Sequence, residues 1–98
     1  MHNLNFPRSK VADFCRAHHV IHLAFFGSVL RQDFRPTSDV DVLVEFEPGY
    51  PVGLIGLAAI ELELSEILGR TVDLRTANDL SRYFRDEVLR TAVTQYAA

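Results

Sequence analysis

Apolar and polar positions along the 98-residue chain change their spacing several times, and each change marks an element. After a lead-in over residues 1–8 that ends near Pro7, Val11, Phe14 and Cys15 recur at helical spacing, so a helix is expected from Ser9, a capable N-cap, to about His18. Val20 to Phe26 (VIHLAFF) is a run of mostly β-branched and aromatic residues stopped by Gly27, the pattern of a strand covered on both faces. Gly27-Ser28 ends it, and Val29 to Gln32 suits one short helix. Arg35-Pro36-Thr37-Ser38 reads as a turn, and a second strand runs from about Asp39 to Phe46 until Glu47-Pro48-Gly49-Tyr50-Pro51 breaks it.

Leu54 to Leu68 is too long for a strand, and Leu57, Ile60, Leu64, Ile67 and Leu68 recur at helical spacing with Gly69 as a C-terminal stop. Glu61, Glu63 and Glu66 then fall on a solvated face of that helix. Thr71 to Arg75 predicts a short third strand with Asp73 between Val72 and Leu74. Asn78-Asp79 breaks the chain, and Ser81 caps a final helix that puts Phe84, Val88 and Ala92 on one face. Helix, strand, strand, helix, strand, helix predicts an α/β fold with a small sheet. No repeat, low-complexity tract or linker interrupts it, so residues 1–98 read as a single domain.

Composition narrows the function. With 48% hydrophobic and 23% charged residues the chain should fold, and a net charge of -3 lacks the cationic excess that a phosphate backbone requires. Direct nucleic-acid binding is therefore disfavoured. The lone Cys15 lies in an apolar helical pattern and reads as a packing residue. No leader pattern opens the sequence and no apolar run reaches the ~18 residues of a membrane span, which points to a cytoplasmic protein without a membrane partner. His18, His19 and His22 lie close together without cysteine partners across a helix-to-strand turn, a poor pattern for zinc. Arg82, Arg85 and Arg90 read either as surface charges or as contacts for an acidic partner, and Tyr50, Tyr83 and Tyr96 suit a partner surface.

The chemistry is concentrated between Gly27 and Phe46. A Gly-Ser pair between a strand and a helix suits phosphate: glycine allows close approach, and free amides and a hydroxyl supply donors. Asp39 and Asp41 flank one valine at the head of the second strand, so alternation turns both to the same face. Like charges one pleat apart repel, and a cation between them relieves the cost. Asp73, in the third strand, adds a third carboxylate to an oxygen-rich set of the kind Mg²⁺ prefers.

Gly27-Ser28, ten residues, then Asp39-Val40-Asp41 resembles the signature of the DNA polymerase β-like nucleotidyltransferase superfamily. Together with Arg31, Ser38 and the tail VDLRTANDLSRYFRDEVLRTAV, the chain is most similar in pattern to the minimal nucleotidyltransferases, the MNT antitoxins paired with HEPN toxins. It departs from the usual wording at Leu30 and Gln32, where alanine and glycine are common, so a side chain at 32 is expected to narrow the loop. The resemblance implies a small mixed β-sheet flanked by helices. It implies that Gly27 and Ser28 hold a triphosphate, with Ser38 and Arg31 beside them, although Arg31 can equally anchor the loop through Asp33 or a carbonyl. It also implies that Asp39 and Asp41 ligate two Mg²⁺ ions, and that Asp73 completes the second metal site and helps deprotonate the acceptor.

The expected activity is transfer of AMP from Mg-ATP to a hydroxyl of another protein, releasing pyrophosphate. By resemblance the acceptor is a tyrosine of a HEPN toxin, which AMPylation neutralises, in a hetero-oligomer of toxin and antitoxin. A 98-residue chain shows no second lobe to grip a small molecule, so the acceptor site is expected to be completed from outside. Two alternatives stand beside this: an antitoxin that neutralises by contact alone, and an aminoglycoside-type nucleotidyltransferase whose pocket a homodimer cleft supplies.

Overall fold

The computed structural model describes residues 4–32, 34, 35 and 37–98. In chain order it contains helix α1 (Arg8–Ala17), strand β1 (Val20–Phe26), a 3-10 turn (Gly27–Leu30), strand β2 (Val40–Phe46) and helix α2 (Leu54–Leu68). Strand β3 (Val72–Arg75), a second 3-10 turn (Ala77–Asp79), helix α3 (Arg85–Thr91) and strand β4 (Val93–Ala97) follow. The expected pairing of Arg31 with Asp33 and the contribution of Pro36 to its turn lie outside the described residues, as do residues 1–3 of the lead-in.

The strands form one mixed sheet in the order β3-β2-β1-β4, with β1 antiparallel to both β2 and β4, and β2 parallel to β3. Parallel neighbours need a crossover, and α2 provides it. Alternation sorts side chains onto two faces. Leu23 pairs with Val44, Phe25 with Val42, and Val42 with Leu74, so these share one face. That face meets Val11, Phe14 and Cys15 of α1 and Ile60, Leu64 and Leu68 of α2 in the buried core. Burial pushes the Cys15 thiol up to about 12, so it stays protonated and packs as a small apolar group. The opposite face carries Ala24, Asp41, Leu43, Glu45, Asp73 and Arg75 by the same pairing.

Several sequence expectations change. Pro7, not Ser9, occupies the N-cap of α1, where its missing N–H does no harm because the first turn has no carbonyl to receive it. The short helix expected over Val29 to Gln32 is a 3-10 turn that starts earlier, at Gly27. The last helix starts at Arg85 with Phe84, not Ser81, at its N-cap, and ends at Thr91 rather than including Ala92; Val93–Ala97 becomes a fourth strand on the free edge of β1. The unpaired backbone groups of β1 reward that pairing more than another helical turn would reward an exposed helix end. Gly69 does end α2, in the left-handed conformation with φ +67°. Among the described residues no helix is long and apolar enough to cross a membrane.

Glu61 corrects the reading of a uniformly solvated face. Strand β3 lies at the sheet edge, and its outward amides at Val72 and Leu74 are taken by α2: the Ser65 hydroxyl accepts from Val72 at 3.1 Å and the Glu61 carboxylate from Leu74 at 2.8 Å. Ser65 also donates to the Glu61 carbonyl at 2.9 Å. One helical turn thus fixes the level of β3 against β2, and with it the level of Asp73. Replacing Glu61 by alanine leaves the Leu74 amide without a charged acceptor, and chemical denaturation should show a loss of roughly 1–3 kcal/mol; an unchanged midpoint and slope would contradict this role.

Candidate active site

Asp41 and Asp73 stand directly opposite each other on the parallel pair β2 and β3. Asp41 is half-buried. Burial raises its carboxyl above the usual carboxylate range, Asp73 and Asp39 push in the same direction, and the Ser28 N–H and Arg75 pull it back. The three acids singled out in the sequence are thus electrostatically one group. Asp39 precedes β2 and is exposed.

The Gly27–Leu30 turn closes around Asp41. Gly27 has φ +71°, and a Cβ there would lie 2.3 Å from Asp41 Oδ2, so any other residue would strain the turn and push the carboxylate aside. The backbone N–H of Ser28 donates to the Asp41 carboxylate. Its hydroxyl donates to the carbonyl of Asp39 at 3.2 Å. The turn expected to face a phosphate is therefore built against the acidic strand. Arg31 ends the turn with an exposed side chain, Gln32 is exposed beside it, and Leu30 packs partly against the core. Ser38 accepts from the Arg35 N–H at 3.1 Å and closes the turn that delivers Asp39.

Two residues that the sequence did not single out complete the site. Arg75 Nε donates to Asp73 Oδ1 at 3.0 Å and Arg75 Nη2 to Oδ2 at 3.3 Å, a fork on the third carboxylate. The signal was its spacing, two residues after Asp73 on the same strand face. Arg70 Nη2 donates to the carbonyls of Arg35 at 2.5 Å and Ser38 at 2.9 Å, and its guanidinium lies 4.5 Å from the centre of the Phe34 ring. It ties the segment before Asp39 to the end of α2; no local pattern announces a contact between residues 32 positions apart.

The carboxylates form a hard-oxygen donor set that suits Mg²⁺ in type. As the side chains are placed, with Arg75 on Asp73, no three His, Cys, Asp or Glu residues among the described ones converge to hold a metal ion. The histidines are dispersed: His18 pairs with Glu63 at 3.0 Å, His19 with Glu47 at 2.6 Å and His22 with Thr94 at 2.8 Å.

A mixed sheet with a Gly-Ser turn leading to acids on its second strand is the polymerase β-like nucleotidyltransferase fold. The model of the nucleotidyltransferase domain family matches residues 8–94, and the chain belongs to that family and is a nucleotidyltransferase. A Methanocaldococcus jannaschii protein named "putative protein adenylyltransferase" is 36% identical over 91 residues, covering 93% of this chain and 96% of its own. A solved structure described as a "putative minimal nucleotidyltransferase" superposes with a TM-score of 0.71 at 37% identity, over 88% of this chain and 86% of the other. Two toxin–antitoxin complexes share the fold at 18% identity. One, bound to AMP-PNP, has a TM-score of 0.74 over 93% of this chain and 73% of the matched one. The other, a tri-AMPylated Shewanella oneidensis HEPN toxin with an MNT antitoxin, has a TM-score of 0.66 over 93% and 70%.

The Asp41 geometry predicts a pH-dependent cost. Its carboxyl titrates higher in the folded chain than in the unfolded one. Stability therefore falls as pH rises through the window between the two values, and the penalty is complete above the folded one. Asp41→Asn should raise Tm at neutral pH, with the gain disappearing in acid below the usual carboxylate range; a lower Tm at neutral pH would contradict the repulsion. Gly27→Ala should destabilise by roughly 1–3 kcal/mol in the same assay.

Proposed function

We propose that this chain transfers AMP from Mg-ATP to a tyrosine hydroxyl of a HEPN toxin and thereby acts as its antitoxin. The observation that carries the reading is the half-buried Asp41, set level with Asp73 and backed by Gly27, where a Cβ would crowd its carboxylate. Repelling acids built so tightly are costly to folding unless a cationic ligand is meant to join them. The M. jannaschii relative's name and the AMPylated toxin in the complex of the same fold support adenylyl transfer to protein. The AMP-PNP complex supports ATP as the donor.

In this reading Gly27 and Ser28 hold the triphosphate tail, with Arg31 and Ser38 flanking it. Asp39, Asp41 and Asp73 would hold two Mg²⁺ ions, and the bound metal supplies neutralisation of the phosphates and of the entering oxygen. Metal binding at Asp73 would compete with the two hydrogen bonds that Arg75 makes to that carboxylate. The phenolic oxygen bonds to the α-phosphorus, the bond from that phosphorus to the bridging oxygen breaks, and pyrophosphate leaves with the electron pair. Asp73 takes the phenolic proton. The protein's contribution is position and charge.

A second reading rests on a specific observation. The Arg75–Asp73 fork neutralises an acid that catalysis needs, as befits an antitoxin that acts by contact alone. Incubation with labelled ATP, Mg²⁺ and the partner encoded by the adjacent gene separates the two. Label should appear on a partner tyrosine and be lost when Asp39 and Asp41 are both replaced by asparagine. An unlabelled partner that is still neutralised by an Asp73→Asn chain would establish the contact mechanism instead.

A further inference from the structure

The face of the sheet that carries the acids continues past them. Phe26 pairs with Asp41, so the Gly27–Leu30 turn lies at the Asp41 end of the site face. If pyrophosphate leaves toward that turn, in-line displacement brings the attacking oxygen from the other side. Beyond Asp41, starting one pleat further along β2 at Leu43, the same face opens into a cavity of about 560 Å³. Leu89 of α3 and Ala92 just after the helix form one wall, His22 and Thr94 stand on the β1–β4 side, and Asn78 stands in the 3-10 turn that follows β3.

We infer that this cavity is the acceptor pocket and admits one hydroxyl-bearing aromatic side chain, a tyrosine, of the partner protein. The inference rests on the nucleotidyl-transfer reading and adds the site at which its acceptor binds. The volume falls within the ~300–1,000 Å³ of small-ligand pockets and exceeds what a phenol ring needs. Leu43, Leu89 and Ala92 give the ring apolar contact. The paired His22 and Thr94 side chains, 2.8 Å apart, and Asn78 offer polar partners to the inserted segment. The nucleoside does not fit the position, because it stays bonded to the α-phosphorus and lies off the line joining entering and leaving oxygens. In this assignment the partner supplies the acceptor side chain and this domain supplies the pocket that receives it.

Filling the pocket tests this. Ala92→Trp and, separately, the more exposed Leu89→Trp should each lower the initial rate of partner labelling about tenfold or more while AMP-PNP affinity in Mg²⁺ stays within about twofold. Two variants with different burial guard against a folding defect. Full labelling with the cavity filled overturns the assignment, and so does loss of AMP-PNP affinity in both variants, which would make the cavity a nucleoside site. A binding arm stands apart from transfer: N-acetyl-tyrosinamide should shift the methyl resonances of Leu43 and Leu89 in the unmodified chain and not in Ala92→Trp. If the unmodified chain labels nothing, the transfer reading falls, and the tyrosinamide arm alone decides the pocket: shifts uphold it and their absence overturns it.

Discussion

The repulsion between Asp41 and Asp73 is the constraint around which the structure is arranged. Two carboxylates at the same level of a parallel pair, with Asp39 close enough to add to the field, raise each other's cost, and burial amplifies it at Asp41. A protein selected only for stability would place alanine or threonine there. This one instead surrounds the acids with devices that hold them. Glycine at 27 makes room, the Ser28 amide donates to Asp41, and Arg75 forks onto Asp73.

Holding the acids level is a problem of long-range register, and α2 solves it. Glu61 and Ser65, one turn apart, accept the two outward amides of β3, so the edge strand cannot slide without losing both bonds. Arg70, just after the helix, reaches the carbonyls before Asp39. The helix that covers the core thus holds the strand of Asp73, and the residue just after it holds the segment before Asp39. The other side of the sheet stays free for chemistry because α1 and α2 both pack on the opposite face.

Much of the frame was legible in the residues. VIHLAFF, the acid-headed run to Phe46, the long apolar spacing from Leu54 to Leu68 and the left-handed Gly69 each carry a local signal strong enough to mark the element. Local signals failed where the outcome depends on a distant partner. Val93–Ala97 follows a helical pattern closely, and only the free edge of β1 makes it a strand. Glu61 has the spacing of a solvated helix face, and only the edge position of β3 gives its carboxylate an amide. The Gly-Ser and Asp-x-Asp spacing pointed to the site, yet the tight fit of Gly27 on Asp41 and the level pairing of Asp41 with Asp73 are products of strand register. Arg75 escaped notice because a cation at a strand end is common; its meaning comes from the carboxylate beside it.

The proposed role of the acidic cluster is to receive metal and triphosphate, in competition with Arg75 for Asp73. Anomalous diffraction from crystals grown with Mn²⁺ and AMP-PNP tests it directly. The account predicts Mn²⁺ between Asp41 and Asp73, Arg75 turned away from Asp73, and the triphosphate at the Gly27–Leu30 turn. Manganese and nucleotide bound elsewhere, with the Arg75–Asp73 fork intact, would contradict it.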